Sequence, residues 1–128
     1  MAEISNYLEN ALINGTLRAT SYTAPTTTFL ALYTNDPTDA DTGTEVTGGS
    51  YVRQAITFSA PSNGATSNSS AIEYPQCTAT WGTITHVGIR DAVTAGNLLY
   101  HTPLDTSKTI STGDIFKVTA TNLSVTLA

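Results

Sequence analysis

Thr28-Phe-Leu-Ala-Leu-Tyr-Thr34, Asn35-Asp-Pro-Thr-Asp-Ala-Asp-Thr-Gly-Thr-Glu-Val-Thr-Gly-Gly-Ser50 and Tyr51-Val-Arg-Gln-Ala-Ile-Thr-Phe58 are three consecutive stretches whose reading decides the fold. The first and third carry the two-residue period of a β-strand. In the first, Phe29, Ala31 and Tyr33 alternate with Leu30 and Leu32, so both faces are apolar and a central strand is expected. In the third, Val52, Ile56 and Phe58 fall on one face and Tyr51, Arg53 and Thr57 on the other, which predicts a half-buried strand. Between them lie sixteen residues of turn-formers and carboxylates. A loop of that length inside a small domain is uncommon and is usually functional or disordered.

Working outward, the composition agrees with an all-β body. Of 128 residues, 25 are Thr and 11 are Ser, while only 12% are charged. Threonine is β-branched and fits a pleated, half-buried surface. Uncharged hydroxyls also desolvate more cheaply than ions, which suits a surface that neighbours will cover. The net charge is −5, and the five basic residues Arg18, Arg53, Arg90, Lys108 and Lys117 are scattered. That excludes nucleic acid as an expected partner, and an anionic membrane surface with it. The single Cys77 can form no intrachain disulfide and matches no zinc spacing. The first residues, Met-Ala-Glu-Ile-Ser-Asn-Tyr-Leu, offer neither a basic n-region nor an apolar h-region, so cytoplasmic synthesis is expected.

Ile4, Leu8, Ala11 and Leu12, with Tyr7 beside them, fall at helical spacing and predict one short N-terminal helix. Asn14-Gly15 is its natural stop, with extension to Arg18 as the other option. The expected organisation is thus a helix or arm over residues 1–20 and a single β-sandwich over 21–128. Pro61–Ser70 reads as a polar connector turning at Asn63-Gly64, and Ala71–Tyr74 as a short strand stopped by Pro75. In Thr80–Asp91, Ile84 is out of phase with Val87 and Ile89, and Gly88 sits between the latter two. A bulge or a close backbone crossing is expected there. Asn97–Thr102 should pair back across Ala92–Gly96, and Ser111–Asp114 should turn before two further alternating runs, Phe116–Ala120 and Leu123–Leu127. Seven or so short strands at this spacing make a β-sandwich, jelly-roll-like or immunoglobulin-like.

The chemistry-bearing residues form no catalytic constellation. Asp36, Asp39, Asp41 and Glu45 could surround a calcium ion, but the acids lack EF-hand spacing, and a solvated acidic loop is the plainer reading. His86 and His101 lie in strands that could pair, yet no Gly-x-Ser-x-Gly turn supplies a nucleophile. Glu73 and Asp91 stand too far apart in sequence to be nominated as a hydrolytic pair. Trp81 reads as a core or interface anchor, with a sugar platform as the other reading, and Cys77 as a buried inert thiol. No enzyme, metal or cofactor is expected.

Three blocks together resemble a family of small structural proteins of tailed bacteriophages, described variously as tail fibre, head fibre or capsid decoration proteins. They are Tyr22–Pro37, Gly43–Phe58, and Trp81–Asp91 followed by Gly96–Tyr100. The resemblance implies a virion component with a β-sandwich body and no catalytic site, assembled in the host cytoplasm.

On that basis the leading expectation is a capsid decoration (cement) protein that bridges coat subunits on the shell and forms homo-oligomers there. Avidity across several modest contacts would supply the stabilisation. The alternatives are a tail, baseplate or tail-fibre component contacting the host surface, or a sugar- or calcium-dependent adhesion module built on Trp81 and the acidic loop. The partners expected are the major coat protein or other virion proteins. The expected contact residues are Tyr7, Leu8, Tyr22, Asp36, Asp39, Asp41, Glu45, Tyr51 and Tyr74, with the tyrosines 22, 51 and 74 taken as exposed anchors.

Overall fold

The two apolar faces of Thr28–Tyr33 are both covered, and the rest of the architecture follows from that. In the computed structural model, which describes residues 2–127, the elements run β1 (Glu3–Ile4), α1 (Asn6–Leu17), β2 (Thr28–Tyr33), β3 (Gln54–Ile56), β4 (Ala65–Ser67) and β5 (Ile72–Glu73). They continue β6 (Gly82–Arg90), β7 (Leu98–Ile110), β8 (Lys117–Val118) and β9 (Ser124–Thr126). Five strands form one antiparallel sheet in the order β1-β7-β6-β2-β3, and two ribbons, β4-β9 and β5-β8, stand apart from it. The protein is mainly β, with one short N-terminal helix. Among the described residues no helix is long and apolar enough to cross a membrane.

Register assigns the two faces of the sheet. Leu30 pairs with Ile89 and Leu32 with Val87, so these four point the same way. With Ile56 and Ile84 they meet Ile72, Phe116, Leu123 and Val125 of the ribbon side in one buried cluster. The ribbons therefore form the second layer of a sandwich-like body. The opposite face carries Ala31, Tyr33, Gly88, Arg90 and His101, with Ala31 opposite Gly88 and Gly88 opposite His101. The long loop lies against that face.

The irregularity expected in β6 is present. Ile84 pairs with Lys108 and His86 with Pro103, so the single residue Thr85 faces the four residues Leu104–Ser107 of β7. This bulge brings Ile84 into phase with Val87 and Ile89, and all three enter the same core. Gly88 is required by close packing: a Cβ there would lie 2.7 Å from Leu98 Cδ1 and 2.8 Å from the Tyr33 ring.

Other elements differ from the sequence reading. Ile4 joins the sheet opposite Tyr100 instead of the helix. The switch occurs at Ser5, whose hydroxyl accepts the Leu8 N–H and donates to the Leu98 carbonyl, capping the helix while tying it to β7. The helix end is not among these differences: it takes the longer of its two expected courses, past Gly15 to the cap at Arg18, because its exit is made at Ala19 (φ 54°), where the Asn14 carbonyl accepts from both Arg18 and Thr20. The connector 61–70 contains a strand, β4, entered through a two-residue turn in which Asn63 and Gly64 both have positive φ. Tyr51–Arg53 stands outside any strand. The reversal at Gly48–Ser50 (Ser50 φ 69°) turns Tyr51 inward and leaves Val52 exposed, the reverse of the expected phase.

Asn68 joins these parts. It is fully buried; its Nδ2 donates to the carbonyls of Ser70 (2.9 Å) and Thr119 (3.0 Å), and its Oδ1 accepts the Leu123 N–H at 2.9 Å. Asn68→Ala leaves the buried Leu123 N–H and the two part-buried carbonyls without their partner. It is expected to lower stability by about 3 kcal/mol, read as a lower urea midpoint at unchanged slope.

Candidate functional site

The loop 35–50 is built locally by its own short polar side chains. Asp36 accepts the Thr38 N–H at 2.8 Å, Asn35 accepts the Thr44 N–H at 2.6 Å, and Pro37 accepts the Thr42 N–H at 2.6 Å. Its stem then runs beside β2, with Glu45 bridged to Tyr33 and the Val46 N–H bonded to the Leu32 carbonyl at 3.0 Å. The result is an ordered flap over the sheet face that carries Arg90 and His101.

Three loop carboxylates each meet a basic side chain of the body. Asp41 takes Arg90 in a two-pronged pair at 2.7 and 2.8 Å. Glu45 takes Arg53 in the same way, at 2.8 and 2.7 Å. Asp39 accepts from His101 Nε2 at 2.7 Å. The two arginines are more than nine-tenths buried, and the fork geometry matches both oxygens of each carboxylate. Their remaining N–H groups hold the turn after β6: Arg53 Nη1 donates to the carbonyls of Ala92 and Ala95, both at 2.8 Å, and Arg90 Nη2 to that of Gly96 at 2.9 Å. Arg90 also donates to the Tyr33 hydroxyl at 2.9 Å. The acidic loop thus keeps Asp36, Asp39 and Asp41 at the surface, as its spacing suggests, while it pairs Asp39, Asp41 and Glu45 with the body.

Electrostatics follow the geometry. Burial alone would raise the Glu45 pKa, but hydrogen bonds from Arg53 and Tyr51 and the two arginine charges outweigh it, and the group titrates below its ordinary value. Burial and the bond to Glu45 push Tyr51 well above the ordinary tyrosine range. Burial works against the Arg90 charge, yet its bonds to Asp41 and Tyr33 carry the net shift upward.

The expected contact residues divide sharply by exposure. Leu8, 3% exposed, and Tyr74, 2% exposed, are interior. The Tyr74 hydroxyl donates to the Leu30 carbonyl, and its ring stacks on Tyr51 at 5.9 Å and meets Trp81 and Phe116 edge-on. Tyr51 donates to Glu45 and accepts the Leu32 N–H at 3.1 Å. The expectation that Tyr51 and Tyr74 are exposed anchors is thus corrected: they belong to an aromatic core whose hydroxyls find internal acceptors. Trp81 is in that core too, 5% exposed, with its N–H on the Gly49 carbonyl at 2.9 Å, so it offers no platform to a sugar. Of the remaining candidates, Tyr7 and Asp36 are exposed and Tyr22 is half-buried.

The sequence reading missed the apolar residues that do reach the surface. On α1 these are Ile13 and Leu17, the latter 79% exposed. Val52 and Val93 line one open groove of about 320 Å³ beside the loop stem, each more than two-fifths exposed. Periodicity assigns Val52 to the core, and Val93 lies in a turn, where it carries no signal.

The family model described as Podophage GP4 fiber I protein gp80 matches residues 3–126 of the chain. No curated protein matches it.

Two tests address the flap. Arg53→Ala leaves Glu45 largely buried without its counter-charge and is expected to cost about 3 kcal/mol, with faster hydrogen exchange at Thr44 and Val46. Because the folded Glu45 pKa is depressed, its contribution is present above the ordinary value of 4.5 and is lost as the pH falls from there through the folded value. In acid, exchange at Val46 is expected to rise before exchange at Ala31, which pairs with Gly88 inside the sheet.

Proposed function

Because the chain belongs to the Podophage GP4 fiber I protein gp80 family, a family of phage virion structural proteins, we propose that it is a fibre component of the particle that works by shape and contact, without catalysis. The observation that carries this reading is the family match across nearly the whole chain. The internal pairing of the polar chemistry supports it. Arg53 with Glu45, Arg90 with Asp41 and His101 with Asp39 are occupied with one another, the arginines also with backbone carbonyls, and they serve to hold a surface in place.

The contacts are made by what remains exposed. On α1, Tyr7, Ile13 and Leu17 present apolar area that the body leaves uncovered. Beside the loop stem, the Val52–Val93 groove offers a second apolar spot framed by threonines. Tyr22 and Asp36 lie at the surface with them as contact residues. The partners are neighbouring virion proteins, including further copies of this chain. The N-terminal arm contributes both a sheet strand, Glu3–Ile4, and the helix Asn6–Leu17, so arm and body act as one unit.

A second reading, decoration of the capsid shell, is supported by the shape of the elements. The only described helix has 12 residues, and the longest strand, of 13, lies within the sheet. A compact module of this kind suits a position repeated over a surface.

Copy number in purified virions separates the two. Quantitative mass spectrometry against the major coat protein is expected to give a small fraction of a copy per coat subunit for a fibre. A ratio near one-to-one assigns the protein to the shell.

A further inference from the structure

His101 stands at the meeting point of three segments. Its ring is 2% exposed, on β7, opposite Glu3 of β1 and beneath the loop residues Asp36 and Asp39. Nε2 is 2.7 Å from Asp39 Oδ1 and 3.7 Å from Glu3 Oε2. On the other side of the ring, Nδ1 is 3.8 Å from Asp36 Oδ1. One donor atom from each of Glu3, Asp39 and His101 lies within 4.8 Å of the other two.

These spacings fit a small divalent ion. Zinc bonds nitrogen and carboxylate oxygen at about 2.0–2.2 Å, which in a tetrahedron separates neighbouring donors by about 3.4 Å. The two Nε2 distances, 2.7 and 3.7 Å, bracket that separation, and all three donor atoms lie within 4.8 Å of one another, so rotation of the two exposed carboxylates brings the donors to three corners. Two carboxylates balance the charge of the ion. Imidazole among the donors favours zinc or a neighbouring transition ion over calcium or magnesium, which prefer all-oxygen shells.

The position of Asp36 is a separate observation that points the same way. An ionised carboxylate only accepts, so without an ion Nε2 carries the hydrogen and donates it to Asp39. Ligation needs the Nε2 lone pair, and the hydrogen must sit on Nδ1. A carboxylate already stands on that side, and a shift of about 1 Å lets it accept the Nδ1–H. A carboxylate on the far nitrogen of a ligating histidine fixes the ring and raises its basicity. Access is open as well, since the Glu3 and Asp39 side chains are 70% and 50% exposed while the histidine is not.

We propose that Glu3, Asp39 and His101 form a binding site for zinc or a similar divalent transition ion, with Asp36 as the residue that positions His101 and solvent at the fourth corner. The bound ion ties the first strand, the long loop and β7 to one point. The site is independent of whether the protein is a fibre or a shell component.

Calorimetric titration of the chelator-treated chain with zinc chloride tests this, alongside thermal unfolding with and without zinc. The expected result is one zinc per chain and a higher unfolding temperature. Calcium chloride should give a weaker response. Glu3→Gln and Asp39→Asn alter exposed side chains and leave folding intact by circular dichroism. Each is expected to weaken zinc by at least about tenfold, with Asp36→Asn also weakening it at unchanged stoichiometry. No zinc binding by the unaltered chain overturns the proposal. So does undiminished binding in both ligand variants, or calcium bound more tightly than zinc.

Discussion

Two buried guanidinium groups govern how this chain can fold. A cation out of water is tolerated only with an anion and hydrogen-bond acceptors close by. Arg53 and Arg90 lie within one small region and each makes four hydrogen bonds, the Arg90 Nε having no partner, so each depends on a carboxylate brought to it. The loop between β2 and β3 supplies two, and the turn after β6 supplies three carbonyls. Both segments are thereby fixed by the same pair of side chains. Pairing both cations also explains why the loop is so long. The chain must leave β2, reach Arg90 with Asp41, and come back to place Glu45 between Tyr51 and Arg53.

The opposite face of the sheet obeys a different rule, that of volume. Leu30, Leu32, Val87, Ile89 and Ile84 meet the ribbons β4-β9 and β5-β8, and the aromatic group of Tyr51, Tyr74, Trp81 and Phe116 fills the wider end. Tyr51 links the two faces. Its ring belongs to the aromatic group, and its hydroxyl belongs to the Glu45–Arg53 pair. Packing on one side of the molecule and charge pairing on the other therefore share a side chain, and a change in either is felt by both.

Much of the frame is legible in the sequence, and the reasons are local. β2 is central because both its faces are apolar; the bulge at Thr85 shows as a phase error at Ile84; the turn at Asn63-Gly64 shows as a dipeptide with positive φ at both residues. What cannot be read depends on distant partners. Asp41 finds Arg90 49 residues on, and Asp39 finds His101 62 residues on, separations that leave no trace in periodicity. Periodicity places Tyr51 outward because it extends the strand phase back through residues that a reversal at Ser50 removes from the strand. β4 is too short and too polar to alternate visibly. The site at His101 is hidden for the same reason as the ion pairs, since its members come from residues 3, 36, 39 and 101.

The wide bulge in β7 has a consequence for a crowded particle. Beyond Tyr100 and His101, which β1 covers, β7 borders no other strand on its outer side among the described residues. A straight run there would be a template on which a neighbouring chain could zip up by main-chain bonds, and close-packed copies raise that hazard. Four residues thrown out of register at Leu104–Ser107 break the run in its middle. A neighbouring chain therefore finds no continuous main-chain ladder to extend along this edge.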